Sequence, residues 1–120
     1  MTETAEITRA DGFPIIQMKG KITLGQSCSK LRQAAEQLLG QGDSRIFLNM
    51  GEVVYVDSAG LGAIASCHVK ARAAGGSFNL FGVSGTVQEL LVLTRLNEKI
   101  PVFPDQKAAL AGIAPLTPEA

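Results

Sequence analysis

Hydrophobic and polar residues are distributed in a strand-like pattern over two segments at the start of this 120-residue chain. The segments cover residues 4–10 and 14–19, and the pair Asp11-Gly12 between them is a strong turn signal. The chain is therefore predicted to open with a β-hairpin. Residues 20–25 then lead out of it into a loop.

A helical period follows this loop. Apolar residues recur at the i, i+3, i+4, i+7 and i+8 spacing of an amphipathic helix. Ser27 or Ser29 can cap the start of this helix, and Gly40 suits its end. The predicted buried face consists of Leu31, Ala34, Ala35, Leu38 and Leu39.

Two short strands and a second helix are predicted in the middle of the chain. The strands cover residues 45–49 and 53–56, with a turn at residues 50–52 between them. The helix begins at Ser58 and ends at Gly75-Gly76. Its predicted buried face is Leu61, Ile64, Ala65, His68 and Ala71. The opposite face is small and mildly charged, so it can accept a closely packed partner; it consists of Gly62, Ala63, Ser66, Val69, Lys70 and Ala73.

Strand and helix signals alternate again in the last third of the chain. A strand over residues 78–81 precedes Ser84, which is predicted to cap a helix over residues 86–96. Residues 100–103 are predicted to form an edge strand, because Pro101 cannot donate to a sheet ladder. Asp105 can start a last helix that runs to residue 110. The predicted inward residues of helix 86–96 are Val87, Leu90, Leu91 and Thr94.

The order of these elements predicts the α/β class, with a mostly parallel or mixed sheet and packed helices. Apolar residues make up 46% of the chain and charged residues 18%, which is the composition of a globular protein. We expect one domain over residues 1–112. A disordered C-terminal tail is expected over residues 113–120.

Charge and rare residues argue against several classes of function. The formal net charge is zero and no dense Lys/Arg cluster exists, so nucleic-acid binding has little support. No apolar run approaches the roughly 20 residues that span a bilayer, so we expect a cytoplasmic protein without membrane insertion. Cys28 and Cys67 lack metal-type spacing and are expected to be reduced. With His68 as the single histidine, no metal, no cofactor and little acid–base chemistry are expected.

The segment Val56-Asp57-Ser58-Ala59-Gly60-Leu61-Gly62 carries the most specific chemistry. An apolar run ends in Asp57-Ser58, and two glycines then open the predicted helix. A helix N-terminus presents unpaired N–H groups and a partial positive charge, so a phosphate on Ser58 would be favoured there. Its charge would also change what the surface can bind. Ser58 is therefore a candidate switch, with a plain helix cap as the competing interpretation.

Two other motifs overlap this segment. The hydrolase motif G-x-S-x-G fails because Val56 occupies the position of its first glycine, and His68 lies on the order of 15 Å from Ser58 along the helix. The dinucleotide fingerprint matches loosely at Gly60, Gly62 and Ala65. The next strand, however, ends without the acidic residue that holds a ribose hydroxyl. Neither catalysis nor dinucleotide binding is favoured.

Several segments match one known family over nearly the whole chain. They are Gly20-Lys21-Ile22, Ile46-Phe47-Leu48-Asn49-Met50, the segment from Val56 to Gly62, Gly75-Gly76, and residues 96–103. On these segments the chain resembles the family of sulfate transporter and anti-sigma factor antagonist domains, abbreviated STAS. The resemblance implies a single STAS-like domain with a mixed β-sheet and helices packed largely on one face.

In stand-alone bacterial members of this family, the serine that matches Ser58 is phosphorylated by a partner kinase that doubles as an anti-sigma factor. A PP2C-type phosphatase restores the free serine. The resemblance therefore implies a non-enzymatic regulator of transcription, a monomer or weak homodimer, which binds the kinase until it is phosphorylated. Many antagonists carry an aspartate at the position of Thr23. The loop of this chain therefore lacks that negative charge. The implied partner-binding residues are Asp57, Gly60, Leu61, Gly62, Ser66 and Val69, with Thr23 and Gly25 from that loop.

Two other functions are compatible with the same family. One is a nucleotide- or small-ligand-binding module of a larger transport assembly, which a nucleotide-binding assay would reveal. The other is a scaffold of a signalling assembly, which would self-associate into large particles.

Overall fold

The computed structural model describes residues 5–113, in which four helices pack on one mixed sheet. The strands are β1 (Glu6–Ala10), β2 (Phe13–Ile22), β3 (Arg45–Val56), β4 (Ser77–Phe81) and β5 (Val102–Phe103). The helices are α1 (Gln26–Gly40), α2 (Ser58–Ala73), α3 (Gly85–Leu93) and α4 (Gln106–Ile113), with a short 3-10 turn at Leu96–Glu98. The predicted α/β class is confirmed.

The five strands lie side by side in chain order, β1-β2-β3-β4-β5. β1 and β2 are antiparallel and are joined by Asp11-Gly12, whose φ angles of 54° and 82° suit the tight turn of a two-residue hairpin. The pairs β2–β3, β3–β4 and β4–β5 are parallel, and each connection contains a helix. The sheet is therefore mixed, as predicted.

α1, α2 and α3 cover one face of the sheet, and α4 covers part of the other. The larger core includes Leu31, Ile64 and Leu91 from the first three helices, packed with strand residues. Side chains alternate along β3, so that Ile46 belongs to this core while its neighbour Phe47 belongs to the smaller one. The smaller core consists of Ile15, Phe47, Phe81 and Ala109. The predicted packing of helices largely on one face is confirmed.

β3 is one continuous strand, which corrects the prediction of two strands separated by a turn at residues 50–52. The register between β2 and β3 shifts twice over the second half of the pair, each time because β3 has one residue more. Such bulges bend a strand without removing it from the sheet. Asn49 Oδ1 also accepts a hydrogen bond from the Gly51 N–H at 2.8 Å, a local bond typical of turns. The residues that predict a turn at positions 50–52 therefore form part of a bulged strand.

α1 begins at Gln26, directly after Gly25, and no side chain caps its N-terminus. The prediction that Ser27 or Ser29 caps this helix is therefore wrong. The Ser27 hydroxyl instead accepts from the Thr23 N–H at 2.8 Å and donates to the Thr23 carbonyl at 3.0 Å, which closes the loop onto the helix. The predicted face is confirmed, because Leu31, Ala34, Ala35 and Leu38 are buried and Leu39 is half-buried.

The buried face of α2 is rotated relative to the predicted face. Its buried residues are Gly60, Ala63, Ile64, Cys67 and Ala71. Ala63 is thus buried rather than outward, and Leu61, Ala65 and His68 are half-buried rather than inside. Small and apolar residues of the helix itself lie on all of its sides, so its hydrophobic periodicity does not define a single buried face. The close packing of Gly60 on the end of β2 selects it instead.

Ser84 caps α3 as predicted, since its hydroxyl accepts from the Val87 N–H at 3.3 Å. The helix ends at Leu93, three residues before the predicted end, because Arg95 adopts left-handed backbone with φ 63°. Thr94 is exposed rather than inward. The helix is therefore shorter than its apolar pattern predicts.

β5 is a two-residue edge strand, and the last helix follows it as predicted. Asp105 Oδ1 accepts from the Ala108 N–H at 2.9 Å at the start of α4. α4 continues to Ile113, beyond its predicted end at residue 110. From residue 114 on, the predicted tail lies outside the described residues.

Gly60→Ala is predicted to destabilise the fold. A Cβ at this position would lie 2.1 Å from the Ile22 carbonyl oxygen and 2.8 Å from Val56 Cγ1, so α2 would have to move away from the sheet. We expect the free energy of unfolding, measured by urea denaturation, to fall by about 3 kcal/mol.

Gly62→Ala is the matched control on the same helix. No neighbouring atom lies within 4 Å of the Cβ that it would add. We expect it to raise the free energy of unfolding by about 0.5–1 kcal/mol, because alanine favours the helix and restricts the unfolded chain. Equal effects of the two substitutions would contradict the close packing at Gly60.

Candidate functional site

Asp57 caps the N-terminus of α2 and leaves Ser58 free. Asp57 has extended backbone between β3 and α2, and its Oδ1 accepts from the Gly60 N–H at 2.8 Å. Ser58 is the first residue of the helix and is exposed. Asp57, not Ser58, is therefore the cap, and the competing interpretation of Ser58 as a plain helix cap is excluded.

The second carboxylate oxygen of Asp57 holds the loop that precedes α1. Asp57 Oδ2 accepts from the Leu24 N–H at 3.2 Å, and the Asp57 N–H donates to the Ile22 carbonyl at 3.3 Å. The Gly60 N–H, followed by those of Leu24 and Ala59, holds the pKa of the Asp57 carboxyl below its ordinary value. Asp57 is therefore ionised at neutral pH and connects the end of β2 to the start of α2.

Four predicted site residues lie along one side of α2. Ser58, Gly62, Ser66 and Val69 follow one another at helical spacings of four, four and three residues. Gly62 and Val69 are exposed, and Ser66 is half-buried. Leu61 is half-buried beside this stripe, whereas Gly60 is buried and contributes through packing. A partner that contacts Ser58 can therefore extend along the helix over the other three residues.

The loop of residues 23–25 lies next to Ser58 through its bond to Asp57. Thr23 is half-buried, and both of its backbone polar groups are bonded to the Ser27 hydroxyl. Gly25 is exposed with φ 116°, a conformation that favours glycine. The loop therefore has a defined conformation beside the candidate site.

Three exposed apolar side chains at this end of the sheet are absent from the sequence-based site. Leu24 is 82% exposed, Val54 66% and Tyr55 47%. Val54 and Tyr55 belong to the apolar run that is predicted as a strand over residues 53–56, but the second bulge leaves Val54 without a partner residue on β2. Of the three, only Leu24 could have been found from the sequence, because it is a large apolar residue in a predicted loop. These three residues are termed the apolar end patch. Leu24 is bonded to Asp57 through its N–H, and Val54 and Tyr55 precede Asp57 in the chain by three and two residues.

In the part of the chain that the structure describes, the histidine and the two cysteines do not form a catalytic or metal-binding group around Ser58. Burial, followed by Arg72 and Lys99, lowers the pKa of His68, which lies ten residues along α2 from Ser58. Cys28 and Cys67 are buried free thiols, and burial raises the pKa of Cys67 to about 11. Within residues 5–113, no three His, Cys, Asp or Glu residues are grouped to hold a metal ion. In the same range, no helix has the length and apolar character needed to cross a membrane.

A dinucleotide is not favoured at the start of α2. In such a site, the helix N–H groups and the space over the glycines receive the pyrophosphate. Here the Gly60 N–H is bonded to the ionised Asp57, and Gly60 packs against the Ile22 carbonyl. The carboxylate would repel the anion. Gly60 is therefore a packing position, and Gly62 is an exposed residue of the helix.

Comparison with known proteins matches the family model of the STAS domain to residues 4–109. An anti-sigma factor antagonist from Mycobacterium paratuberculosis is 20% identical, with a TM-score of 0.79 over 92% of this chain and 93% of its own. Phosphorylated SpoIIAA of Bacillus is 16% identical, with a TM-score of 0.71 over 92% of this chain and 99% of its own. A sulfate transporter family protein from Wolinella succinogenes is 23% identical, with a TM-score of 0.75 over 88% and 87%. All three have the same fold.

Asp57→Asn is predicted to remove a pH-dependent part of the stability. The carboxylate has a pKa below the ordinary 3.8, so its contribution is fully present above about pH 5 and is lost as the pH falls through the folded-state pKa. Asparagine can still cap α2 but carries no charge. Urea denaturation should show wild type more stable than the variant at pH 7, with the difference shrinking below pH 3.8. A difference that is independent of pH would contradict a role for the charge.

Proposed function

The chain belongs to the STAS domain family, and on this basis we propose that it is an anti-sigma factor antagonist-like regulator that is switched by phosphorylation of Ser58. Anti-sigma factor antagonists among its structural neighbours support the proposal. The observation that carries it is the cap of α2. Asp57 holds the start of the helix, so the exposed Ser58 can be modified without loss of a bond that maintains the fold.

A phosphate on Ser58 would add nearly two negative charges at neutral pH. The dipole of α2 favours this charge, whereas the adjacent ionised Asp57 repels it. The N–H groups of Gly60 and Leu24 are already bonded to Asp57. The new charge is therefore only partly compensated within the chain, and it acts on whatever covers this surface.

The apolar end patch gives the unmodified protein a contact surface at the same end of the sheet as Ser58. A partner that covers Leu24 and Tyr55 removes apolar area from water, which favours the complex. With Ser58 phosphorylated, the same contact would require desolvation of a dianion next to Asp57. Phosphorylation thus releases the partner by local electrostatics, while the fold stays intact.

The partner that we propose is a serine kinase that is also an anti-sigma factor, and a PP2C-type phosphatase returns Ser58 to its free form. The chain itself is then a substrate and regulator in the cytoplasm rather than an enzyme. SpoIIAA, a protein with the same fold, has been solved in unphosphorylated and phosphorylated forms, which supports a phosphate on this scaffold. Gly62, Ser66 and Val69 extend the proposed contact along α2, and Thr23 and Gly25 position Leu24.

Ser58→Ala is predicted to abolish phosphorylation of the chain. The purified protein is incubated with ATP, magnesium and a lysate of the source organism, and its intact mass is then measured. Wild type should gain one phosphate, because Ser58 is exposed and Asp57, not the Ser58 hydroxyl, caps the helix. Ser29→Ala is the matched control, since Ser29 is also exposed in the first part of a helix. A phosphate that persists in Ser58→Ala would contradict the proposal.

Leu24→Ser is predicted to weaken binding to the kinase that phosphorylates Ser58. Loss of one buried leucine side chain at the interface should lower the affinity by about tenfold or more, measured by calorimetry with the purified kinase. Leu93→Ser is the matched control, because Leu93 is similarly exposed, at 78%, but lies at the end of α3. Equal losses of affinity in the two variants would contradict the assignment of the apolar end patch.

The second candidate is a ligand-binding module of a larger transport assembly. The fold shared with the sulfate transporter family protein supports it. Calorimetry with nucleotides separates the two functions, because the switch requires no nucleotide on this chain. Nucleotide binding that is unaffected by Ser58→Ala, together with no phosphate gain in the lysate, would favour this second function.

A further inference from the structure

A concave cavity of about 250 Å³ lies at the amino-terminal ends of β3 and β4. Arg45 and Ser77, which are paired neighbours at the starts of these strands, line it together with Arg72 from the last turn of α2. Ser58 stands at the other end of α2, about 21 Å from Arg72 at 1.5 Å per residue. The cavity is therefore separate from Ser58, and a function for it does not rest on the proposed switch.

The cavity carries positive charge without a compensating acid. Its lining residues include two arginines and no aspartate or glutamate. Within residues 5–113, no carboxylate lies within ion-pair distance of either guanidinium group. Arg45 is half-buried, so its charge is less exposed to bulk water than that of Arg72. Guanidinium groups bind carboxylates and phosphates through paired hydrogen bonds, so an anion is the ligand that this lining fits.

Asn79, which also lines the cavity, is fully buried and has an unpaired acceptor. Its Nδ2 donates to the Ile46 carbonyl at 3.1 Å and to Ser77 Oγ at 3.0 Å. Because a carbonyl cannot donate, the amide nitrogen must face Ile46, which fixes the orientation of the side chain. Asn79 Oδ1 is then an acceptor with no donor among the described residues. This oxygen is shielded from solvent, so a ligand in the cavity does not reach it, and Asn79 contributes by holding the Ser77 hydroxyl in place.

We propose that this cavity binds a small oxyanion, such as hydrogen phosphate or a carboxylate. Arg45 and Arg72 hold the anionic oxygens. The Ser77 oxygen accepts from Asn79, so its own O–H is free to donate to the same oxyanion. The volume is slightly below the range of roughly 300–1,000 Å³ for pockets of drug-sized ligands, which fits a molecule of this size.

The test is an NMR titration of amide shifts on the full chain at pH 7 and constant ionic strength. Four probes form two classes, phosphate and sulfate against glycolate and acetate, and chloride at the same ionic strength is the control. We expect saturable shifts at Gly75, Gly76 and Ser77, with at least one class of oxyanion binding roughly tenfold more tightly than chloride. The class that binds more tightly identifies a phosphate-like or a carboxylate ligand.

Variants decide whether the cavity itself is the site. Arg45→Gln and Arg72→Gln should each weaken binding roughly tenfold, while Arg32→Gln, the same charge change on the exposed face of α1, should leave it unchanged. Ser77→Ala should also weaken it, because it removes the hydroxyl that donates to the oxyanion. It also removes an acceptor of Asn79 Nδ2, so the fold of this variant is checked from its amide spectrum. Non-saturable shifts, affinities no higher than that of chloride, or binding that both cavity variants leave intact would overturn the proposal. Ser58→Ala should not change this binding, so the result is independent of the switch.

Discussion

The carboxylate of Asp57 is the interaction on which the arrangement of the candidate switch depends. One oxygen caps α2 through Gly60, and the other holds the loop before α1 through Leu24. These bonds join the carboxyl ends of β2 and β3 to the starts of two helices. Because Gly60 has no side chain, α2 can approach the Ile22 carbonyl closely enough for both bonds to form. The charge of Asp57, its cap of α2 and the close packing of Gly60 therefore act together at one turn.

This arrangement separates the stability of the turn from the chemistry of its neighbour. Asp57 satisfies the N–H groups that a serine cap would otherwise satisfy, so the Ser58 hydroxyl is available for modification. The same carboxylate makes the surface sensitive to added negative charge, since a phosphate would stand beside an ionised group. The exposed apolar side chains of Leu24, Val54 and Tyr55 supply an area whose burial such a charge would oppose. Asp57 thus both holds the turn in place and makes the neighbouring surface sensitive to added negative charge.

Local sequence rules account for most of the elements and for the position of the candidate site. Asp11-Gly12 predicts the hairpin, the amphipathic spacing predicts the buried face of α1, and Ser84 is the cap of α3. The turn at Asp57-Ser58 is also where the sequence indicates it. These features depend on contacts between residues a few positions apart, such as a turn with positive φ or a hydroxyl that accepts from an N–H three residues on. The family resemblance is confirmed over residues 4–109.

By itself, the sequence determined the class of fold, the order of its elements and the serine at the helix start, because these follow from short-range periodicity and turn chemistry. Only the tertiary structure decided that β3 is continuous, since pairing with β2 absorbs the turn signal of Gly51 as a bulge. It also decided which face of α2 is buried, because Gly60 can approach β2 where a larger residue cannot. The exposure of Val54 and the unpaired Asn79 Oδ1 likewise depend on neighbouring strands. Such contacts join distant parts of the chain, and no local pattern encodes them.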